Sequence, residues 1–297
     1  MSTPQTPTPQ AAPPAWEAAA GDPRSGHPDL PGYTSPIPVV RTHLGHALAS
    51  EWTKIRSVRS TMWTLGVFVL IVVGVGLLTA VVIDHSSASM SGPDDPLSLG
   101  FFGVLLGSIC LITLGVLTTA SEYGTGMIRT TMTACPSRGR VLAAKAAVFS
   151  LTAFTVTLAS TALVALAQTA LLDGSGIRRP TGAEWLRGTV GVSLYLALLG
   201  LLSLLVGSLL RRSAGGITIM IGLVLAPLVV ALFMFTPSLE RVRTVLFEYS
   251  IPNQLSVFYS NSLGQAGPSG WDPLWIMLGA VAVASAGAWA LLRHRDV

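Results

Sequence analysis

The sequence predicts an all-α, polytopic membrane protein with six transmembrane helices. The first observation is six apolar runs without a single Asp, Glu, Lys, Arg or His: Thr61–Ile83, Leu97–Ala120, Ala146–Leu172, Gly188–Leu210, Ala214–Thr236 and Pro273–Leu292. Each reaches the roughly 20 apolar residues a helix needs to cross a bilayer. The second is that these runs lack period-two alternation, so they read as helices and not as barrel strands. The third is composition: 51% hydrophobic and only 11% charged residues, against about 25% charged in an ordinary soluble domain.

Residues 1–40 come first. Proline recurs among Ala, Thr, Gln and Ser, a composition that buries too little to offset its ordering entropy. They read as a disordered, Pro/Ala-rich cytoplasmic tail. Without an early apolar core, no secretory signal is read there. Residues 41–59 form the next unit. Leu44, Leu48, Trp52 and Ile55 share one helical face, with Glu51, Lys54 and Arg56 elsewhere. A basic amphipathic segment before a span predicts an interfacial helix; the other reading is a cytosolic extension of the first span.

Residues 60–297 hold the spans. In the second, Gly103 and Gly107 stand four apart and permit close helix approach. The connection 121–140 is expected to face the cytosol. Gly124 and Gly126 end the preceding helix, Thr125 is placed to cap, and Met127–Cys135 predicts a short helix stopped by Pro136. Met127, Ile128 and Met132 are too apolar for an ordinary solvated linker. Lys145, at the entrance of the third span, is expected to snorkel toward water. That span also carries Thr157, Thr161 and Gln168, the residues expected nearest a translocation path if the protomer holds one. The outer connection 237–272 predicts a helix capped by Ser238, with Leu239, Val242, Leu246 and Tyr249 on one face and a break at Ile251-Pro252.

Charge sets the orientation. With the chain starting in the cytoplasm, Arg56, Arg59, Arg129, Arg138, Arg140, Arg211, Arg212, Arg293 and Arg295 fall on one side. This positive-inside pattern predicts a plasma-membrane protein with both termini cytoplasmic. The basic balance thus orients the chain and is not read as a nucleic-acid surface. Trp63 and Trp289 near inner ends, and Trp185, Trp271 and Trp275 near outer ends, fit an aromatic belt.

Several chemistries are not encoded. The only lysines, Lys54 and Lys145, do not follow glycine, so no phosphate loop of the Gly-Lys-Ser/Thr kind exists. There is no zinc-protease motif and no nucleophile elbow. His43 and His46 lie three apart, yet without further ligands they read as surface histidines, and no metal is expected. Cys110 and Cys135 fall in different environments, so no disulfide is expected. No catalytic set is identified. The apolar runs hold no acid or histidine, which argues against ion coupling inside them; energy must then arrive from outside the membrane.

The entry Ser50-Glu51-Trp52-Thr53-Lys54-Ile55-Arg56-Ser57 resembles the start of actinobacterial ABC-2 type transporter permeases. The stretch Ser121-Glu122-Tyr123-Gly124-Thr125-Gly126 with Arg129, then Pro136-Ser137-Arg138 and Lys145, resembles the cytoplasmic coupling region of the same family. The resemblance covers about residues 41–297. It implies the six-helix membrane subunit of an exporter, working beside a second permease subunit, whether identical or a paralogue. ATP and Mg would sit on a separate cytoplasmic ATP-binding subunit, with no cofactor on this chain. It further implies that Glu51, Trp52, Lys54, Glu122, Tyr123, Gly124, Thr125, Arg129 and Arg138 touch that subunit. Two other readings stay open: a membrane scaffold or immunity-type protein, and an intramembrane enzyme drawing on Asp173, Glu184, Glu240, Glu248 and His85.

Overall fold

The computed structural model describes residues 43–85, 96–134, 137–172, 178–259 and 267–294. Among them the regular structure is helical throughout. Helix α1 (Leu44–Ser57) ends at Val58, whose extended backbone separates it from α2 (Arg59–His85). A 3₁₀ turn (Pro96–Gly100) leads into α3 (Phe101–Gly124), followed by the short α4 (Met127–Ala134) and the long α5 (Arg138–Leu171). Helix α6 (Gly182–Leu186) continues through one π turn (Arg187–Gly191) into α7 (Val192–Leu210). Then come α8 (Ser213–Phe233), α9 (Glu240–Glu248), α10 (Ile251–Val257) and α11 (Asp272–His294).

Six of these segments are long and apolar enough to cross a membrane: Arg59–His85, Leu97–Gly124, Gly139–Leu171, Gly182–Leu210, Ser213–Phe233 and Asp272–Leu291. They match the six apolar runs in order, as a multi-pass membrane protein requires. The predicted tail, residues 1–40, lies outside the described residues.

Helices α3 and α7 occupy the centre, while α2, α8 and α11 turn most of their surface outward. Lipid is as apolar as leucine, so small residues and close contact hold such helices together. A Cβ on Gly103 would meet the Val72 carbonyl oxygen at 2.9 Å, and one on Gly107 would meet Val72 at 2.8 Å. The predicted close approach at these two glycines is therefore real, and its partner is α2. On the opposite side of α3, Gly115 faces the Gly200 carbonyl, and Gly207 faces Val116 and Thr119. The Thr119 hydroxyl also donates across to the Leu204 carbonyl at 3.0 Å. Buried in hydrocarbon, that carbonyl gains a second partner instead of losing water.

The connection after α8 differs from expectation. Ser238 lies inside a 3₁₀ turn (Pro237–Leu239) and caps nothing; Leu239 stands at the N-cap of α9 with no side-chain bond. Ile251-Pro252 does not simply end structure. Ser250 accepts from the Asn253 amide, and Pro252 sits in the first turn of α10, where no backbone donor is needed. All of α10 is buried. Asn253 Nδ2 donates to the Glu248 carbonyl and Gln254 Nε2 to the Tyr249 carbonyl, both at 2.8 Å, so the end of α9 is satisfied without water.

The α3–α7 contact generates a prediction. Gly115→Val should lower stability by about 1–3 kcal/mol, the usual range for overpacking, because the obstacle is backbone. Gly279→Val on α11, where a Cβ meets nothing within 4 Å, should leave the midpoint unchanged in denaturant unfolding of the detergent-solubilised protein.

Candidate functional site

Four ionisable side chains converge where α1, α3 and α5 meet. Glu51 comes from the middle of α1, Lys54 from one turn later, Glu122 from the last turn of α3, and Lys145 from the second turn of α5. Lys145 Nζ donates to Glu51 Oε2 at 2.9 Å, to Glu122 Oε1 at 2.8 Å and to the Thr118 carbonyl at 3.3 Å. All three of its protons are thus used. Lys54 Nζ donates to Glu51 Oε1 at 2.7 Å and to Glu122 Oε1 at 2.9 Å. Two carboxylates and two ammonium groups cancel in charge, which is what allows them to be buried together.

Burial is deep. Glu51 is 4% exposed, Glu122 3% and Lys145 4%. Lys54 stands at the rim, with about a third of its side chain open. Burial alone would lower its pKa, but hydrogen bonds to Glu51 and Glu122 outweigh that and hold it above the ordinary 10.5.

Helix α1 is oriented contrary to a simple amphipathic reading. Its one buried residue is Glu51. Leu44 and Trp52 are exposed, and the Arg56 guanidinium lies 6.0 Å from the Trp52 ring centre. Glu51 enters the bundle between the half-buried Leu48 and Ile55, while Leu44, Trp52 and Arg56 face away. Lys145 departs from expectation as well. It does not snorkel outward; its chain turns inward and closes the network.

The corner between α3 and α4 is the other part of the site. Gly126 takes φ +72°, a left-handed conformation that suits glycine, and α3 stops at Gly124. Thr125 does not cap α4; its hydroxyl donates back to the Ser121 carbonyl at 2.9 Å. Tyr123 is half-buried, with the Arg211 guanidinium 5.0 Å from its ring centre. Arg211 closes α7 in a left-handed conformation, φ 55°, so this cation–π contact ties the α3–α4 corner to the α7–α8 turn. On α4, Ile128 is buried and Met127 is exposed. The side chains of Arg129 and Arg138 lie outside the described part, as does Cys135.

Of the residues singled out from sequence, Glu51, Lys54 and Glu122 are therefore in contact, whereas Trp52, Gly124 and Thr125 lie on the surface around them. Lys145 completes the network. The available signal was its position, five residues into α5 beyond Arg140 and flanked by Ala144 and Ala146, where a lone charge needs a partner. Thr157, Thr161 and Gln168 are all buried in the interior. Gln168 Nε2 donates to the Gly76 carbonyl at 3.1 Å, and Thr161 bonds the Thr157 carbonyl at 2.9 Å. Thr161 and Gln168 line a cavity of about 10 Å³, the size of one water. The Thr157 hydroxyl has no hydrogen-bond partner among the described residues. His43 and His46 stack on each other with ring centres 3.8 Å apart. Among the described residues no three His, Cys, Asp or Glu side chains group as metal ligands would.

No protein-family model and no curated protein sequence matches this chain.

The network makes two predictions. Lys145→Met leaves both glutamates buried without their central cation and should cost about 3–5 kcal/mol, read as a lowered midpoint in denaturant unfolding. Lys54 has a raised folded-state pKa, so its contribution is fully present below the unfolded value near 10.5 and is lost as pH rises through the higher folded value. Wild-type stability should therefore fall with alkaline pH beyond that point, and Lys54→Met should flatten this part of the profile.

Proposed function

We propose that this chain is the membrane subunit of an ATP-binding cassette exporter of the ABC-2 type, forming the translocation path with a second permease subunit and driven by a separate cytoplasmic ATP-binding subunit. In this reading the protein sits in the plasma membrane with both termini and the α1 end in the cytosol, and α1 lies in the interface. The exposed Leu44 and Trp52 meet lipid there, while Glu51 and Lys54 hold the helix to the bundle.

The single observation that carries the reading is the linkage of α1 to the α3–α4 corner through Lys145. An exporter subunit with no nucleotide site needs a cytosolic handle rigidly joined to its spans. Helix α4 leaves α3 at Gly124 and Gly126, exposes Met127, and stands one residue beyond a corner gripped on two sides. Lys145 and Lys54 hold Glu122; Arg211 holds Tyr123. Force applied to α4 or α1 is then delivered to α3, α5 and α7 together and not dissipated in a loop. A rocking of these helices between inward and outward access is the corresponding motion. The exported compound is expected to be amphipathic or hydrophobic, since the interior polar groups are hydroxyls and amides.

Purification of the tagged chain from its native membrane in mild detergent should recover an ATP-binding subunit, and the reconstituted pair should hydrolyse ATP. Met127→Asp on the exposed side of α4 should reduce that recovery at least fivefold at unchanged expression. A chain that purifies without any ATP-binding protein, and whose vesicles show no ATP-dependent transport, contradicts the proposal.

A further inference from the structure

A second polar site is closed into the bundle toward the other end of α5, where the 3₁₀ turn before α3, α5, the π turn and Tyr259 meet around the cavity of about 10 Å³. Gln168 is 1% exposed and Thr161 4%. Gln168 Nε2 gives one proton to the Gly76 carbonyl, while its second proton and Oε1 form no hydrogen bond with the described residues. Thr161 spends its proton on the Thr157 carbonyl, which leaves the lone pairs of its oxygen able to accept. Tyr259 is held in place by its ring, which lies edge-on to Phe101 with centres 6.4 Å apart; a Cβ on Gly188 in the π turn would stand 3.5 Å from it. Geometry shows where these groups point. A methyl group on Gly100 would stand 3.7 Å from Val164 Cγ1, 3.8 Å from the Tyr259 hydroxyl oxygen and 4.0 Å from Gln168 Nε2. Gly100 and these three residues all line the cavity, so the amide and the phenol converge on the one point that Gly100 leaves open.

A buried amide with a donor and an acceptor unmade gives up its bonds to water and gains nothing in return. One water molecule repairs this where the space holds it and polar partners surround it. We infer that this cavity is a binding site for a single ordered water, held by Gln168 and Thr161 of α5 and by the Tyr259 hydroxyl. The water bridges α5 to the segment that follows α10, across a contact that the two elements do not complete by direct hydrogen bonds. The size of the cavity fixes the ligand class, since a space of one probe sphere admits water and no larger polar molecule. Thr161 and Gln168 therefore serve to close the bundle and do not line a passage for cargo. The inference rests on packing and hydrogen bonding alone and stands whether or not the chain is an exporter.

A double-mutant cycle on the full-length protein in detergent tests it. Gly100 has φ −75°, which alanine also adopts, and the added methyl meets its neighbours at ordinary contact distances. At a water site that methyl displaces the water without replacing its hydrogen bonds. Gly100→Ala should then lower the midpoint of denaturant unfolding in the otherwise native chain. In the Gln168→Met background no amide is left to strand, so the same substitution should lower it much less or raise it. This comparison also cancels any cost of alanine at the N-cap of α3, because that cost is common to both backgrounds. A midpoint raised or unchanged by Gly100→Ala in the otherwise native chain overturns the site. An equal fall in the two backgrounds overturns it too, since crowding or capping alone would then account for the loss. A second measurement needs no variant. A density map of the protein in lipid, at a resolution that shows ordered waters, should contain a peak within hydrogen-bonding distance of both Gln168 and Thr161, and a dry cavity in that map overturns the inference.

Discussion

Everything at one end of this bundle depends on a neutral quartet of buried charges. Lys145 is its centre: a single ammonium that spends three protons on two carboxylates and a carbonyl. Remove it, and two buried acids are left with Lys54, at the rim, as their one cation. Retain it, and α5 is joined to α1 and α3, which Lys54 and Glu122 also link directly. Buried ion pairs are poor sources of stability compared with a well-packed apolar substitute, because desolvation consumes most of the attraction. What they supply is a defined geometry, since a misplaced charge has nowhere else to go. For α1, whose one fully buried residue is Glu51, that definition adds to the contact made by the half-buried Leu48 and Ile55.

The rest of the molecule follows a different logic. Between α2, α3 and α7 the determinant is closeness, with Gly103, Gly107, Gly115 and Gly207 letting backbones approach. At the opposite end the determinant is polar completeness: the amides of Asn253 and Gln254 close the last carbonyls of α9, and Tyr195 donates to Gln254 Oε1 at 3.4 Å. The bundle is thus knit by small residues through its middle and by polar side chains at both ends. Full charges pair at both ends, in the buried quartet at the α1 end and between Arg178 and Glu184 at the start of α6.

The spans were legible because the bilayer imposes a length and forbids charge, and both leave an unmistakable trace in composition. The glycine contacts of α3 were legible for a related reason, as four-residue spacing on a helix is a geometric statement. The orientation of α1 was not. Its pattern shows an apolar stripe and a charged stripe, and in water the apolar one would face inward. Here the neighbouring helices offer Glu122 and Lys145, so Glu51 is the residue of α1 drawn fully inside, between the half-buried Leu48 and Ile55. Lys145 was misjudged for the same reason: a lysine at a helix entrance can reach water or a buried acid, and only the three-dimensional position of Glu51, 94 residues away in sequence, decides between them. The burial of α10 was hidden because Ile251-Pro252 reads locally as a stop, whereas Ser250 turns it into a helix start.

The central claim is that α1 and the α3–α4 corner form one body through Lys145. Pulsed electron paramagnetic resonance between spin labels at Ser50 and Thr130, with Cys110 and Cys135 replaced by serine and the protein in nanodiscs, measures it directly. The account predicts one narrow distance distribution that broadens when Lys145 is replaced by methionine. A broad distribution in the otherwise native chain, or a narrow one indifferent to Lys145→Met, would contradict it.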